Sequence, residues 1–139
     1  MNDLTVDDCK LISLPKDENV RGNLTFIESM KHVPFDIKRV FYIYDIPADS
    51  TRGAHAHHNL HQFLICLAGS FEISVKDTKS EKIFSMNRPW FGLHIPPMIW
   101  ASEINFAPGS VCLVLVSDFY DGDDYIRDYQ DYFEIMNKS

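Results

Sequence analysis

Four of the six histidines in this 139-residue chain fall within the eleven residues from Arg52 to Gln62. The order is Arg52-Gly53-Ala54-His55-Ala56-His57-His58-Asn59-Leu60-His61-Gln62. Side chains of a strand alternate between its faces, so His55 and His57 project together from one side. Imidazole titrates near neutrality and both accepts and donates a proton, which suits the pair to acid–base chemistry. The same residues could also begin a metal site, with His58 or His61 as further ligands. Arg52 directly precedes the pair, and its planar fork matches a phosphate or a developing oxyanion. Ten residues upstream of Arg52, Tyr42 and Tyr44 share one strand face opposite Phe41 and Ile43. A phenol there can hydrogen-bond an oxyanion, or simply pack as a core tyrosine bonded to backbone.

The elements that must position these groups read as strands. Short apolar runs recur between Gly, Pro, Asn and Asp punctuation, from KLISLP and GNLTFIE through KRVFYIYDIP and HQFLICLAG to SVCLVLVSDF. Ten Phe and six Tyr favour strands over helices, and the regular spacing points to an all-β sandwich or barrel. Phe71, Ile73 and Val75 alternate with polar neighbours, as in a half-buried strand, and Asp77-Thr78-Lys79-Ser80-Glu81 joins it to the next strand as a hairpin. Val111 to Val116 is apolar throughout and needs cover on both faces, from a sandwich or from a subunit interface. Tyr125, Ile126, Tyr129, Tyr132 and Phe133 have helical spacing, which predicts a short C-terminal helix on the sheet. No linker or repeat divides residues 1–139, which read as one domain.

Composition narrows the function. A net charge of −7 and no Lys/Arg cluster exclude a nucleic-acid-binding face, though a few local arginines can still hold one diphosphate. Three scattered cysteines (Cys9, Cys66, Cys112) fit no metal spacing or disulfide framework and read as buried thiols of a reducing compartment. With no signal pattern and no apolar stretch of about 18 residues, the expected location is cytoplasmic, away from any membrane.

The His segment resembles the first motif of the cupins. His55-x-His57 is followed by four residues, Gln62, six residues and Gly69, with Gln62 where the motif carries an acidic ligand. The second motif's histidine, expected after the turn Ile95-Pro96-Pro97-Met98-Ile99, is replaced by Trp100. Two imidazoles and a neutral amide make a poor divalent-metal site, so neither metal nor other cofactor is expected. The chain also resembles the WxcM-like family, the dTDP-4-dehydro-6-deoxyglucose 3,4-ketoisomerases. That similarity rests on Arg21-Gly22-Asn23-Leu24, Val33 to Tyr44, Arg52 to His57, Leu60-His61-Gln62, Ser117 to Asp121 and Asp124 to Tyr129. Ala54 and His58 depart from the residues often found in relatives.

The resemblance implies a cupin (jelly-roll) β-barrel and a dTDP-linked 4-keto-6-deoxy sugar as substrate. The keto group would move from C4 to C3 through an enediolate, in making deoxyamino sugars for bacterial surface glycans or glycosylated natural products. His55, matching the family's first histidine, would take the C3 proton, and His57 would shuttle a proton between the C3 and C4 oxygens or support the base. Tyr42 stands closest to the family's catalytic tyrosine, with Tyr44 second. Arg52, and after it Arg39 and Arg21, would meet the diphosphate or an oxyanion. Gln62 would hydrogen-bond the histidines or a sugar hydroxyl, and Trp100 would wall the pocket or pack structurally. His32 and His94 stand outside the group. A homodimer with exchanged N-terminal strands is expected. The alternatives are a dTDP-sugar 3,5-epimerase and a non-catalytic sugar-nucleotide-binding cupin.

Overall fold

In the computed structural model, which describes residues 4–138, the apolar runs become strands of two packed sheets. The strands are β1 (Lys10–Ser13), β2 (Lys16–Asp17), β3 (Leu24–Thr25), β4 (Arg39–Ile43), β5 (Arg52–His57) and β6 (Gln62–Ala68). They continue as β7 (Phe71–Lys76), β8 (Glu81–Met86), β9 (Phe91–Ile95), β10 (Trp100–Ile104), β11 (Val111–Val116) and β12 (Tyr125–Ile126), before helix α1 (Tyr129–Asn137). One five-stranded sheet has the order β1-β9-β6-β11-β4, the other β12-β5-β10-β7-β8, and β2 pairs with β3. All of these pairings are antiparallel.

Period-two alternation decides which side chains meet between the sheets. Leu64 and Cys66 of β6 with Cys112, Val114 and Val116 of β11 face Phe71, Ile73 and Val75 of β7 in one core cluster. Each fully buried Val, Leu, Ile or Phe in it contributes about 1.5–3 kcal/mol relative to exposure. Gly69 of the His-segment motif closes the β6–β7 turn with φ +74°, where a Cβ would lie 2.7 Å from Ser110 Cα. That position admits only glycine without strain.

The other strand face of β11 is covered by the chain itself. Leu115 packs with Val33, Phe35, Phe63 and Ile65, and Leu113 lies against the same cluster. The two-sided apolar run therefore finds its cover in the segment before β4, and a partner subunit is not needed for it. The second sheet is backed by α1, whose Tyr132 is buried against Ala56, Met98 and Ile126. Its hydroxyl sits 3.0 Å from the Met98 carbonyl oxygen and 3.2 Å from that of Lys76, and donates there.

The helix begins later than its apolar spacing suggests. Asp128 caps it by accepting from the Gln130 and Asp131 amides. Tyr125 and Ile126 are extended instead and pair with His57 and Ala56. Strand pairing to the histidine strand wins over helical periodicity there.

Replacing Tyr132 with Ala should lower the unfolding free energy by about 3–5 kcal/mol, the cost of removing a buried aromatic. Phe133→Ala, at a side chain 40% exposed, should cost less than half of that. Equilibrium denaturation in urea measures both.

Candidate active site

The histidine strand does not alternate regularly, and the exception builds the site. Across the β5–β10 pair, His55 lies opposite Ala101 and Arg52 opposite Glu103, so three steps on β5 match two on β10. The extra residue forms a β-bulge, with Gly53 at φ +73°. Residues three apart would ordinarily face opposite ways. The bulge turns Arg52 and His55 to the same side.

Both line a cavity of about 400 Å³ between the sheets. Phe41, Ile43, Leu64 and Val114 supply apolar wall from the first sheet, and Gln62 is the amide among them. Ala101, Glu103, Tyr125 and Arg127 complete the side that carries His55. This volume and mixed lining fit a small organic ligand.

His55 is partly buried, and its pKa is pulled down to about 4. Burial is the largest cause, followed by repulsion from His57 and Arg127. At neutral pH it is an unprotonated base. His57 lies behind it, 4% exposed and outside the cavity lining. The two rings meet edge to face with centroids 4.8 Å apart. His57 Nδ1 stands 3.2 Å from Asp124 Oδ2, so Nδ1–H donates to that carboxylate and Nε2 keeps its lone pair. That Nε2 is buried without a hydrogen-bond partner. Burial lowers the His57 pKa, and Asp124 opposes the shift by charge and hydrogen bond.

Asp124 also holds the loop after β5. Its carboxylate accepts the Asn59 amide at 2.9 Å and the Leu60 amide at 3.3 Å, and its carbonyl accepts the His58 amide at 2.9 Å. Tyr125 lies against both imidazoles, with ring centroids 4.9 Å from His55 and 4.3 Å from His57. The Arg127 guanidinium carbon is 4.0 Å above the Tyr125 ring, a cation–π contact that fixes the phenol's plane.

Several residues picked out from the sequence stand elsewhere. Tyr42 on β4 and Tyr44 just after it point outward, 61% and 59% exposed, and pack on each other instead of facing the cavity. The inward positions belong to Phe41 and Ile43, which have no proton to give. Trp100 turns to the outer face of β10 and packs on Tyr129 and Tyr132 of α1, because Ala101 takes the inward position. Arg21 is exposed on the turn between β2 and β3, away from the cavity wall. Arg39 lines a smaller neighbouring hollow with His57 and Asp124, and its Nε is buried and unpartnered. His61 and His94 stack together at 5.2 Å on the opposite side of the first sheet, against Phe35.

Sequence reasoning missed Glu103, Asp124, Tyr125 and Arg127 as site residues. Glu103 carried a legible signal: it shares a strand face with Ala101, and a carboxylate on a core-facing position demands an explanation. The other three lie in the Asp124 to Tyr129 stretch, which carried the resemblance but was given no site role because its spacing from Tyr125 onward read as helix.

The donor set does not suit a metal. Gln62 stands in the carboxylate position, and Trp100 stands where the second motif's histidine is expected. Among the described residues no three His, Cys, Asp or Glu side chains come together as a binding group.

Residues 7–137 match the model of the FdtA family, described as WxcM-like, C-terminal. A TDP-4-oxo-6-deoxy-alpha-D-glucose-3,4-oxoisomerase from Aneurinibacillus thermoaerophilus is 39% identical over 129 residues, 93% of each chain. The crystal structure of QdtA, a sugar 3,4-ketoisomerase from Thermoanaerobacterium thermosaccharolyticum in complex with TDP, superposes with a TM-score of 0.92. It is 44% identical and is matched over 94% of this chain and 96% of its own. A dTDP-4-dehydrorhamnose 3,5-epimerase from Bacillus anthracis has a TM-score of 0.74 at 17% identity, over 85% of this chain and 77% of its own. That last likeness is one of fold alone.

Asp124→Asn removes the charge that favours protonated His57 and weakens the bond that sets its tautomer. NMR titration of the His57 ring should therefore show its protonation moved to lower pH, with the ring signals broadened by tautomer exchange. An unmoved titration would mean that Asp124 holds only the loop.

Proposed function

The chain belongs to the FdtA family (WxcM-like, C-terminal), and from that membership we propose how its cavity works. It is an isomerase that moves the keto group of a TDP-linked 4-keto-6-deoxyhexose from C4 to C3. The adjacent ketone acidifies the C3 proton, so a neutral base placed against C3 can remove it and leave an enediolate. His55 is that base. The observation that carries this reading is an imidazole kept unprotonated at the wall of a ligand-sized cavity.

A base with so low a pKa is available at neutral pH but weak. The negative charge arising on the enediolate next to it favours the imidazolium, and so strengthens the base as the reaction proceeds. His57, fixed by Asp124, packs against the edge of His55 and sets its orientation. Arg52 and Arg127 line the same cavity and supply fixed positive charge for the diphosphate or the enediolate oxygen. Gln62 meets a sugar hydroxyl with its amide. The reaction runs without a metal, a reading supported by the unsuited donor set.

The finer reading extends to the setting. Residues 1–139 act as one domain in the cytoplasm, and the product is aminated at C3 for bacterial surface glycans or glycosylated natural products. Among the described residues no helix is long and apolar enough to cross a membrane. The enzyme works as a homodimer, supported by Val40 and Tyr42 of edge strand β4 and Tyr44 just beyond it, which leave an apolar outer surface there. The edge strand β1, paired with β9, is the one exchanged between subunits, since its pairing would be the same with a partner's β9. Light scattering at micromolar concentration should give twice the chain mass; the mass of a single chain would refute the dimer.

His55→Asn should cut turnover of the TDP-linked 4-keto sugar by about 10²–10⁴-fold, the usual scale for a lost general base. Exchange of the C3 proton with heavy water should disappear with it. NMR of the reaction in heavy water reads both, and also separates the alternatives. Label entering at C5 would indicate an epimerase, and binding without turnover a non-catalytic cupin. Near-normal turnover in His55→Asn would end the assignment.

A further inference from the structure

Moving a ketone between neighbouring carbons transfers two kinds of proton. One leaves C3 and returns at C4. The other must be added to the C4 oxygen and removed from the C3 oxygen. His55 accounts for the carbon-bound proton. Tyr42 and Tyr44 point away from the cavity, and His57 lies outside its lining. The oxygen-bound proton therefore needs another carrier.

We infer that Glu103 is that carrier, a catalytic acid that protonates O4 and then, as carboxylate, takes the proton from O3. The inference rests on the ketoisomerase reading and deepens it. Glu103 is 7% exposed, on the inward face of β10, two residues from the strand partner of His55. Diagonal neighbours on one sheet face have Cα atoms about 7–8 Å apart, close enough for two side chains to reach one edge of a sugar ring. The carboxyl presses on the β5 bulge: a Cβ at Gly53 would overlap Glu103 Oε2. The missing side chain at position 53 thus makes room for the acid beside the base.

The surroundings give the carboxyl the required protonation state. Arg52 and His55 face it from β5, Tyr125 and Arg127 line the same cavity, and Cys112 lies near it on β11. The residue opposite on β7 is apolar Ile73. Burial raises the Glu103 pKa to about 7, against the pull of Arg52. A carboxylic acid titrating there both gives and takes a proton at neutral pH. The Tyr125 phenol of the same lining packs its ring on both imidazoles and under Arg127.

The step balances without any further reactant. The C3–H bond breaks and its proton goes to His55. A C3–C4 double bond forms, and the electrons of the C4 carbonyl take the proton of Glu103 to make O4–H. The Glu103 carboxylate then removes the proton of O3, a carbonyl forms at C3, and C4 takes the proton from His55. Both groups end as they began.

The expected pH dependence follows in sign. His55 must start neutral, so turnover falls as pH drops toward about 4. Glu103 must start protonated, so turnover also falls as pH rises above about 7.

Glu103→Gln tests the assignment on the full chain, because the amide can still hydrogen-bond O4 but releases no proton. Ketone transfer from the TDP-linked 4-keto sugar should fall by about 10²–10⁴-fold. Deuterium entry at C3 should fall at least tenfold less than transfer, since His55 remains, and the limb above neutral pH should vanish from the residual activity. Transfer within threefold of the unmodified protein would overturn the role, and so would loss of C3 exchange in step with transfer. Uncoupling of exchange from transfer in His57→Asn but not in Glu103→Gln would return the role to His57. Glu103→Asp, which keeps an acid, should recover part of the transfer with a shifted upper limb. That variant and the profile of the unmodified protein decide the matter if the amide variant does not fold, and an unmodified profile flat above neutral pH counts against the inference. If the unmodified protein neither exchanges the C3 proton nor forms the 3-keto sugar, the parent reading fails first.

Discussion

Loss of water is the constraint on which the rest of this site depends. Placing ionisable side chains between two packed sheets disfavours whichever form is charged. The effect acts on an imidazole and a carboxylic acid in opposite directions. His55 is driven toward the free base and Glu103 toward the free acid. One physical cause therefore yields a base that is empty and an acid that is loaded at the same pH. Mutual attraction could not do this, since an ion pair between them would leave each in the wrong state. The apolar wall of Phe41, Ile43, Leu64 and Val114 is part of the chemistry for that reason.

Backbone irregularity is what lets both groups occupy one cavity. In a regular β5, Arg52 would face away from His55, and on the backbone as it stands a side chain at position 53 would fill the space of the Glu103 carboxyl. The bulge removes the first problem, and the glycine within it removes the second. Asp124 performs the matching task at the other end of the strand. Its carboxylate binds His57 and two loop amides together, so the ring is positioned by the same group that closes the chain after β5. Tyr125 follows directly and pairs with His57 across the strands, which carries Arg127 over the phenol and into the cavity wall.

Much of this was legible in the sequence, and the failures have particular causes. The alternation of His55 and His57 gave their shared face, the spacing to Gly69 gave the turn after β6, and the punctuated apolar runs gave a sandwich. Alternation also separated Tyr42 and Tyr44 from Phe41 and Ile43, but it could not say which pair faced inward. A tyrosine is amphipathic enough for either face, and the answer depends on how β4 packs beside β11. Trp100 was left between pocket wall and structural packing, and its outward place on β10 beside Ala101 makes it packing. The Tyr125 segment was misread because helical spacing and a two-residue strand are indistinguishable over so short a stretch. Glu103 was overlooked because Trp100–Ile104 was not read as a strand and nothing in its neighbourhood resembled the His motif.

The substitutions at Gln62 and Trp100 gain a further meaning from this arrangement. A divalent cation in the lumen would polarise a ketone by itself, but it would also hold a nearby carboxyl ionised and occupy an imidazole lone pair. Acid and base would then be unavailable as proton carriers. With an amide at position 62 and the indole turned toward α1, the lumen has no strong fixed charge apart from its arginines. Burial then governs the protonation of His55 and Glu103. Polarisation of the C4 oxygen falls to a hydrogen-bond donor that can let its proton go. A Lewis acid would activate the same carbonyl, but moving a proton from one sugar oxygen to the next would fall to a water bound to it. Relocating a ketone requires that transfer, and with an amide at position 62 a buried acid beside a buried base can supply it.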